Sequence, residues 1–369
     1  MMELTTLPSI WSALGSSLLQ FLWQGAVIGL IAALVLELLG KGRASVRYLV
    51  CCGALASCVL AFVVTFSISL VTAIPFSGAK EAIFQLPDPL FGEIGEVTPS
   101  VSWFENLLSV ETIAWFWVLG VLAMTLRLAH QWRWSHRLKT CCVYQPDERW
   151  LQVFQTLRKE FGVDRSVRLL SSSLANVPMV VGWLQPVVLI PVAAFSALTP
   201  EQLRVVLAHE LSHIRRHDHI VNFFQCVIET LLFFHPVIWW LSKQIRSERE
   251  FCCDEASVGA VNDPRILAEA LLSLESSRVD TSHSFLSSQG GPLMQRIYKI
   301  LGRDQDSHSR YSENLAFACF LSGLLVALFA IPASGDAKSV AVSPVSVEFS
   351  VGQDSDSDRR PQDDDDDDD

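Results

Sequence analysis

Residues 205–218 read VVLAHELSHIRRHD and contain two histidines and a glutamate in the order H-E-x-x-H. On a helix, His209 and His213 project from the same face about 6 Å apart along the axis, so both imidazoles can reach one metal ion. Glu210 lies one position further round the helix, where its carboxylate can act as general base for an attacking water. Because H-E-x-x-H arises by chance in roughly one such sequence per hundred, the motif alone is a hypothesis. The chemistry that it predicts is zinc-dependent hydrolysis.

The helix that carries this motif has a clear predicted start. Thr199 is a favoured N-cap residue, Pro200 suits the first turn, and Glu201 places a negative charge near the positive end of the helix dipole. The preceding residues, 167–192, are rich in β-branched side chains and are interrupted by prolines and a glycine, which predicts short strands or a hairpin. We expect an extended peptide substrate to pair with an edge strand within residues 177–191.

A zinc site of this kind needs a third protein ligand. His217 continues the histidine stripe, but eight residues of helix place it about 12 Å from His209, too far to share one ion. We therefore expect His217 at the surface or behind a ligand. Glu250 and Asp254, within IRSEREFCCDEA, form an i, i+4 carboxylate pair on a predicted second helix. One of them can bind zinc while the other hydrogen-bonds a ligating histidine; the alternative is a solvated charged helix face.

The composition places this chemistry in a membrane protein. Half of the residues are hydrophobic, 18% are charged and the mean hydropathy is +0.33, which is too apolar for an ordinary soluble protein. Residues 334–369 hold twelve acidic and three basic residues, so this tail carries −9 of the net charge of −11 and is predicted to be disordered. The candidate membrane spans are four apolar runs, Leu18–Leu36, Leu49–Ile74, Ile113–Leu126 and Leu315–Ile331.

Basic residues predict the orientation of these spans. The connection after the first span and the segment after the third are rich in Lys and Arg, whereas residues 75–110 carry five acidic residues and one lysine. Both termini are therefore predicted outside the membrane and the peptidase domain in the cytoplasm. The predicted divisions are an N-terminal region with three transmembrane helices (1–127), a cytoplasmic zinc metallopeptidase domain (128–313), a fourth transmembrane helix (314–333) and an acidic extracytoplasmic tail (334–369).

Residues 220–241, between the motif and the carboxylate pair, are long and apolar enough to cross the bilayer. A single crossing would place His213 and Glu250 about 30 Å apart, and they would not share a metal ion. Basic residues flank both ends of the segment, which predicts both ends in the cytoplasm, and Pro236 breaks the run. We expect a helical hairpin or re-entrant element packed against the spans, or a buried pair of core helices with the same topology.

The combined motifs resemble those of the BlaR/MecR-type, antirepressor-like integral membrane zinc metallopeptidases. The chain has H-E-L-S-H at 209–213 and the pattern R-E-x-x-C-D at 249–254. Ahead of the zinc helix it also has the spaced residues Pro178, Gly182, Pro186 and Pro191. The order of three spans, a zinc domain and a fourth span is similar as well, so the resemblance covers about residues 15–335.

The resemblance implies a fold and a site. The fold is a multi-span α-helical protein of the bacterial cytoplasmic membrane with a cytoplasmic, mainly α-helical α+β domain of the gluzincin-like type. In the site, His209, His213 and Glu250 bind Zn²⁺, Glu210 is the catalytic base and Asp254 supports a ligand. Sensor members of the family continue into a penicillin-binding domain with an S-x-x-K nucleophile. About 37 residues follow the fourth predicted span here, without S-x-x-K, so we expect no β-lactam binding.

The function that these features favour is a zinc endopeptidase that cuts a protein or peptide at the cytoplasmic face of the bilayer. Regulated or signalling proteolysis is expected, with the protein itself or a transcriptional repressor as substrate. A housekeeping membrane protease of the HtpX or CAAX-prenyl-protease kind ranks second, because its downstream acidic motif usually lacks the R-E-x-x-C-D form. A signal transducer that binds a partner without cutting is less favoured, since no motif residue is degenerate. No direct contact with nucleic acid is expected.

Overall fold

Three long helices open the chain. The computed structural model describes residues 6–40, 43–73, 109–182, 185–281, 290–302, 317, 320 and 321. Helices α1 (Thr6–Leu39), α2 (Ala44–Ala73) and α3 (Val110–Thr140) are long and apolar enough to cross a membrane. Each overlaps one of the first three predicted spans and begins before it. The fourth predicted span and the acidic tail lie outside the described residues, apart from three residues of that span.

Helix α3 is longer than the sequence predicts. The apolar run ends at Leu126 and the peptidase domain is predicted from residue 128, but the helix continues unbroken to Thr140. Hydrophobicity marks only the part of a helix that suits lipid, and no proline or glycine follows Leu126 to end the helix. Arg137 and Lys139 lie in its last turn, where positive charge stabilises the carboxyl end. The third candidate membrane helix therefore extends beyond residue 128, into the range predicted for the peptidase domain.

The part of the chain that follows α3, predicted to be the peptidase domain, contains a four-stranded mixed sheet in the order β1-β2-β4-β3. Its strands are β1 (Val143–Tyr144), β2 (Arg168–Ser172), β3 (Met179–Val181) and β4 (Val187–Pro191). Strands β2 and β4 are parallel, whereas β1 and β3 are antiparallel to their neighbours. Gly182 begins the turn between β3 and β4 with φ of 104°, a conformation that suits glycine. The predicted short strands and hairpin are confirmed, and β3 lies at a sheet edge.

Helix α6, which carries the H-E-x-x-H motif, lies in the core of this domain. The neighbouring helices are α4 (Glu148–Glu160), α5 (Ala194–Ala197), α6 (Pro200–Arg215), α9 (Pro264–Thr281) and α10 (Gly290–Ile300). The side chains of Leu203, Leu207 and Leu211 are fully buried in a hydrophobic cluster with α4, β2, β4 and α9. A capping box starts α6 as predicted: the Thr199 hydroxyl accepts from the Gln202 N–H at 3.2 Å, and the Gln202 side chain accepts from the Thr199 N–H at 3.0 Å.

The segment after the motif is a helical hairpin. Helix α7 (Asp218–Leu231) and helix α8 (Pro236–Val261) are joined by residues 232–235, and the break precedes Pro236 because proline suits the first turn of a helix and not its interior. At the open end of the hairpin, the Cys253 thiol donates to Asp218 Oδ2 at 3.5 Å. Both ends of residues 220–241 therefore lie on the same side, as the sequence predicts.

The tip of the hairpin lies against the middle of the membrane helices. The buried ring of His235 donates from Nε2 to the carbonyl oxygen of Leu22 in α1 at 3.1 Å, and its Nδ1 accepts from the Val237 N–H at 3.2 Å. The Trp117 indole of α3 donates to the carbonyl oxygen of Leu231 at 2.8 Å. Since Leu22 is near the midpoint of α1, the tip of the hairpin packs beside the middle of the candidate spans, which is compatible with either predicted alternative, a re-entrant element or a buried pair of core helices.

Two glycines in the membrane helices make room for this tip. A Cβ added at Gly25 would lie 2.7 Å from the His235 ring, and one added at Gly120 would overlap the ring of Phe233. Small residues allow close approach between helices in a membrane. The hairpin tip can therefore pack closely against α1 and α3 because neither position has a side chain.

We predict that Gly120→Ala destabilises the protein whereas Gly53→Ala does not. The added methyl group at Gly120 forces Phe233 aside, and overpacking of this kind costs about 1–3 kcal/mol. At Gly53 an added Cβ meets nothing within 4 Å, and alanine favours the helix. Thermal unfolding of the detergent-solubilised full chain measures the difference. Equal melting temperatures for the two variants would contradict the close packing of the tip against α3.

Candidate metal centre

Three of the predicted site residues meet at one point between α6 and α8. His209 Nε2 lies 3.2 Å from His213 Nε2 and 3.5 Å from Glu250 Oε2, and His213 Nε2 lies 3.7 Å from Glu250 Oε1. Zinc bonds to histidine nitrogen and carboxylate oxygen are about 2.0–2.2 Å long. In a tetrahedral arrangement such bonds separate the ligand atoms by about 3.4 Å. Each histidine nitrogen thus faces a different oxygen of Glu250, and the three residues bring their donor atoms close enough to bind one zinc ion together.

Asp254 stands behind His209. Its Oδ1 lies 3.1 Å from His209 Nδ1, on the opposite side of the ring from the three-ligand point. Burial alone would lower the pKa of His209, but the carboxylates of Asp254 and Glu250 outweigh it and raise the pKa to about 10. The surroundings of this imidazole thus strongly favour a positive charge at the site. Asp254 has the position that the sequence predicts for a residue supporting a ligand.

Arg296 of α10 fixes both carboxylates, and sequence reasoning missed it. Its Nε donates to Asp254 Oδ2 at 2.9 Å and its Nη2 to Asp254 Oδ1 at 2.7 Å, while Nη1 lies 3.2 Å from Glu250 Oε2. Burial acts to raise the pKa of Glu250 and of Asp254, but His209 and Arg296 outweigh it, and both pKa values are lowered. Arg296 follows Asp254 by 42 residues, and no sequence pattern links the two.

Asp218 stands behind His213 as Asp254 stands behind His209, and the sequence analysis did not identify it. His213 Nδ1 donates to Asp218 Oδ2 at 2.9 Å, which leaves Nε2 free to face the metal position. Asp218 is buried because His217 adopts the left-handed conformation, with φ of 58°, and turns the chain back towards α6. A straight helix, which the histidine stripe predicts, would point Asp218 away. The sequence offers one sign of this role, an acidic residue shortly after the motif helix. That sign predicts a contact with His213 only if the turn at His217 is already known.

His217 itself lies away from the metal centre. Its side chain is exposed at the corner between α6 and α7, which agrees with the prediction that it is no ligand. The left-handed conformation of His217 ends the helix. Its imidazole therefore does not join those of His209 and His213 on one helix face.

The thiol of Cys253 completes the group behind His213. Its Sγ lies 3.3 Å from His213 Nδ1, so His213, Asp218 and Cys253 form a second group of potential metal-binding atoms. Burial raises the pKa of this thiol, which keeps it neutral, and the group contacts the nitrogen that faces away from Glu250. It therefore orients His213. The pattern R-E-x-x-C-D now has a geometric meaning: it supplies a potential ligand and one residue behind each histidine.

Glu210 is buried in the wall of the same cleft. Burial raises the pKa of its carboxyl group, because desolvation disfavours the charge. The cleft has a volume of about 960 Å³. Edge strand β3 forms one wall, and Trp132 and Ser135 from the extension of α3 form another. Leu271 and Leu274 of α9 give it an apolar part. A peptide-sized space thus adjoins the metal position and the predicted base.

These features fit a membrane metallopeptidase: the H-E-x-x-H helix is buried, a downstream glutamate lies beside both histidines, and three apolar helices are long enough to cross a membrane. The chain belongs to the BlaR1 peptidase M56 family, whose sequence model matches residues 24–300. The family resemblance drawn from the motifs is therefore confirmed.

The chain is similar to three curated proteins of this kind. It is 29% identical over 177 residues to the regulatory protein BlaR1 of Bacillus licheniformis, a match that covers 47% of this chain and 29% of the relative. It is 24% identical over 165 residues to the methicillin resistance mecR1 proteins of Staphylococcus aureus and Staphylococcus epidermidis, covering 44% of this chain and 28% of each relative. The matched stretch thus spans less than a third of the length of these relatives.

We predict that Asp218→Ala weakens zinc binding by about 10- to 100-fold, the usual effect of removing the residue that orients a ligating histidine. His217→Asn is the matched control, because asparagine tolerates the left-handed backbone and the side chain is remote from the metal. Competition with a chromogenic chelator measures both affinities. Unchanged affinity in Asp218→Ala would show that Asp218 does not orient His213.

Proposed function

We propose that this protein is a zinc endopeptidase of the membrane surface, with His209, His213 and Glu250 as zinc ligands and Glu210 as catalytic base. The observation that supports it most directly is the close approach of the donor groups at the wall of a cleft that also contains Glu210. The Nε2 atoms of His209 and His213 are 3.2 Å apart, and they lie 3.5 and 3.7 Å from the two carboxylate oxygens of Glu250. Asp254 and Asp218 hold the two imidazoles in the orientation that binding requires.

The residues of the site divide the work of peptide hydrolysis. Zinc, when bound, polarises the scissile carbonyl and makes water a nucleophile near neutral pH. Glu210 accepts the proton of the attacking water, and its raised pKa makes it a better acceptor. The same carboxyl group then delivers the proton to the leaving amine. Arg296 holds Glu250 and Asp254 in place throughout, because it bridges the two carboxylates.

The substrate lies extended along β3 in this proposal. Strand β3 pairs with β4 on one side only, and within the described part of the chain no strand pairs with its other edge. A peptide in β conformation can add to such an edge through main-chain hydrogen bonds. Met179 and Val180 of this strand line the cleft, so an added strand would pass next to Glu210 and the ligands.

Regulated proteolysis is the biological role that we propose, with a repressor-like protein or the chain itself as substrate. The support is the family, together with the name of one relative, the regulatory protein BlaR1. A housekeeping protease remains the second candidate, and the same site chemistry serves it equally well. A transducer that does not cut is disfavoured by the intact set of Glu210 and three potential ligands.

We predict that Glu210→Gln keeps zinc but lowers cleavage by about 10²- to 10⁴-fold, the usual contribution of a general base. Glu250→Ala loses most of its zinc, because only two ligands remain. The matched controls are Glu201→Gln, an exposed glutamate on the same helix as the base, and Glu255→Ala, an exposed glutamate on the same helix as the third ligand. Metal analysis and cleavage of a confirmed substrate, or of the chain itself, are measured together. Full zinc retention in Glu250→Ala contradicts the ligand assignment.

We also propose that the peptidase domain faces the cytoplasm, and predict the labelling that this requires. Cysteines replace, one at a time, the exposed residues Glu201 and Glu255, which lie before and after residues 220–241 in sequence, in a background with the exposed Cys141 and Cys142 changed to serine. Both probes should be protected from an impermeant maleimide in intact cells and should react after permeabilisation.

A cysteine at Ser100, in the predicted outer connection, is the control for this experiment and should react in intact cells. Opposite accessibility of the probes at Glu201 and Glu255 would contradict the hairpin and the shared metal centre. Reaction of both probes in intact cells would reverse the orientation and leave the hairpin intact.

A further inference from the structure

The first turns of membrane helix α2 contact both helices that carry the metal ligands. Arg47 donates from Nε to Glu248 Oε1 of α8 at 2.7 Å, and both side chains are buried. The same guanidinium donates from Nη1 to the carbonyl oxygens of Leu36 and Gly40 at the end of α1. Since Glu248 precedes Glu250 by two residues, α2 holds α8 at the level of the metal centre.

The next residue of α2 is connected to the other ligand helix. The Arg216 guanidinium lies over the Tyr48 ring, with 4.8 Å between Cζ and the ring centroid. Arg216 Nε lies 3.5 Å from Asp218 Oδ1, and Asp218 Oδ2 accepts from His213 Nδ1 at 2.9 Å. Three contacts thus lead from an aromatic ring on a membrane helix to a potential zinc ligand.

Apolar packing makes this arrangement firm. Cys51, Leu55 and Cys58 of α2 are buried in one cluster with Leu241 and Ile245 of α8. Helix α2 is therefore packed along the helix that bears Glu250, and its position relative to the site is fixed over several turns.

We propose that Tyr48 and Arg216 are positioning residues for the metal centre: the Tyr48 ring holds Arg216 over Asp218, and Arg216 holds the carboxylate that orients His213. This inference rests on the zinc centre of the proposed function. The ring face attracts the guanidinium, and Arg216 with only 24% of its side chain exposed has few other orientations. The position of α2 thereby sets the direction of one imidazole, so the metal centre is built in part by a helix that crosses the membrane.

The test compares zinc affinity in pairs of variants of the full chain in detergent. Tyr48→Leu removes the ring face and Arg216→Gln removes the charge, and each should bind zinc about tenfold more weakly, the lower end of what the loss of an orienting residue causes. Tyr48→Phe keeps the ring face, and Arg215→Gln removes the neighbouring exposed charge; both should bind zinc as the wild-type protein does.

A double-variant comparison separates positioning from general destabilisation. In an Asp218→Ala background, Tyr48→Leu should cause no further loss of zinc affinity, because the route to His213 passes through Asp218. A general effect on the fold would add to the loss. The visible absorption of the cobalt-substituted protein provides a second reading, since its bands respond to ligand orientation; Tyr48→Leu should change them and Tyr48→Phe should not.

Wild-type zinc affinity in both Tyr48→Leu and Arg216→Gln would overturn the proposal, as would an additive loss in the Asp218→Ala background. If Tyr48→Leu does not fold, Arg216→Gln and its combination with Asp218→Ala decide the question by the same measurements. A wild-type protein that binds no zinc would instead contradict the proposed function itself, so the two failures are distinct.

Discussion

The proximity of His213 and Glu250 is the constraint on which the rest of the structure depends. The two side chains come from helices separated by a long apolar segment, and they can face each other only if that segment returns to the side on which it started. The hairpin of α7 and α8 satisfies this constraint. Its tip fits between α1 and α3 because Gly25 and Gly120 have no side chains there, and both ring nitrogens of His235 at the tip form hydrogen bonds within the protein.

Electrostatic balance follows from the same arrangement. The hairpin contains Glu229, which pairs with Arg246 at 2.7 Å, so this charge is not exposed to lipid without a partner. At the metal centre the buried carboxylate of Asp254 and the half-buried one of Glu250 are matched by Arg296, and the buried carboxylate of Asp218 by Arg216. Buried charges without partners are strongly destabilising. A cation bound at the two histidines, as proposed above, would be attracted by the same carboxylates that orient the imidazoles.

A site residue could be predicted from the sequence when helical spacing alone indicates its position, and not when its position depends on a turn or on a contact between distant parts of the chain. Residues His209, Glu210 and His213 follow from helical periodicity, and the spacing of Glu250 and Asp254 from the same rule applied to a second helix. The hairpin followed from requiring one metal to join two helices. Asp218 and Arg296 did not follow, because the first depends on a left-handed residue, His217, and the second on a contact across 42 residues. The extension of α3 was missed because hydropathy reports the lipid-facing part of a helix and not its end.

The extension of α3 beyond its apolar part has a further consequence for how a substrate is chosen. Trp132 and Ser135 on that extension line the cleft, so one wall of the cleft belongs to a helix anchored in the bilayer. A chain held at the same membrane surface is present there at a high effective concentration, which compensates for weak contacts with the cleft. A freely diffusing chain has no such advantage. For the endopeptidase proposed above, this arrangement would select substrates first by their residence near the bilayer and only afterwards by the side chains that they present.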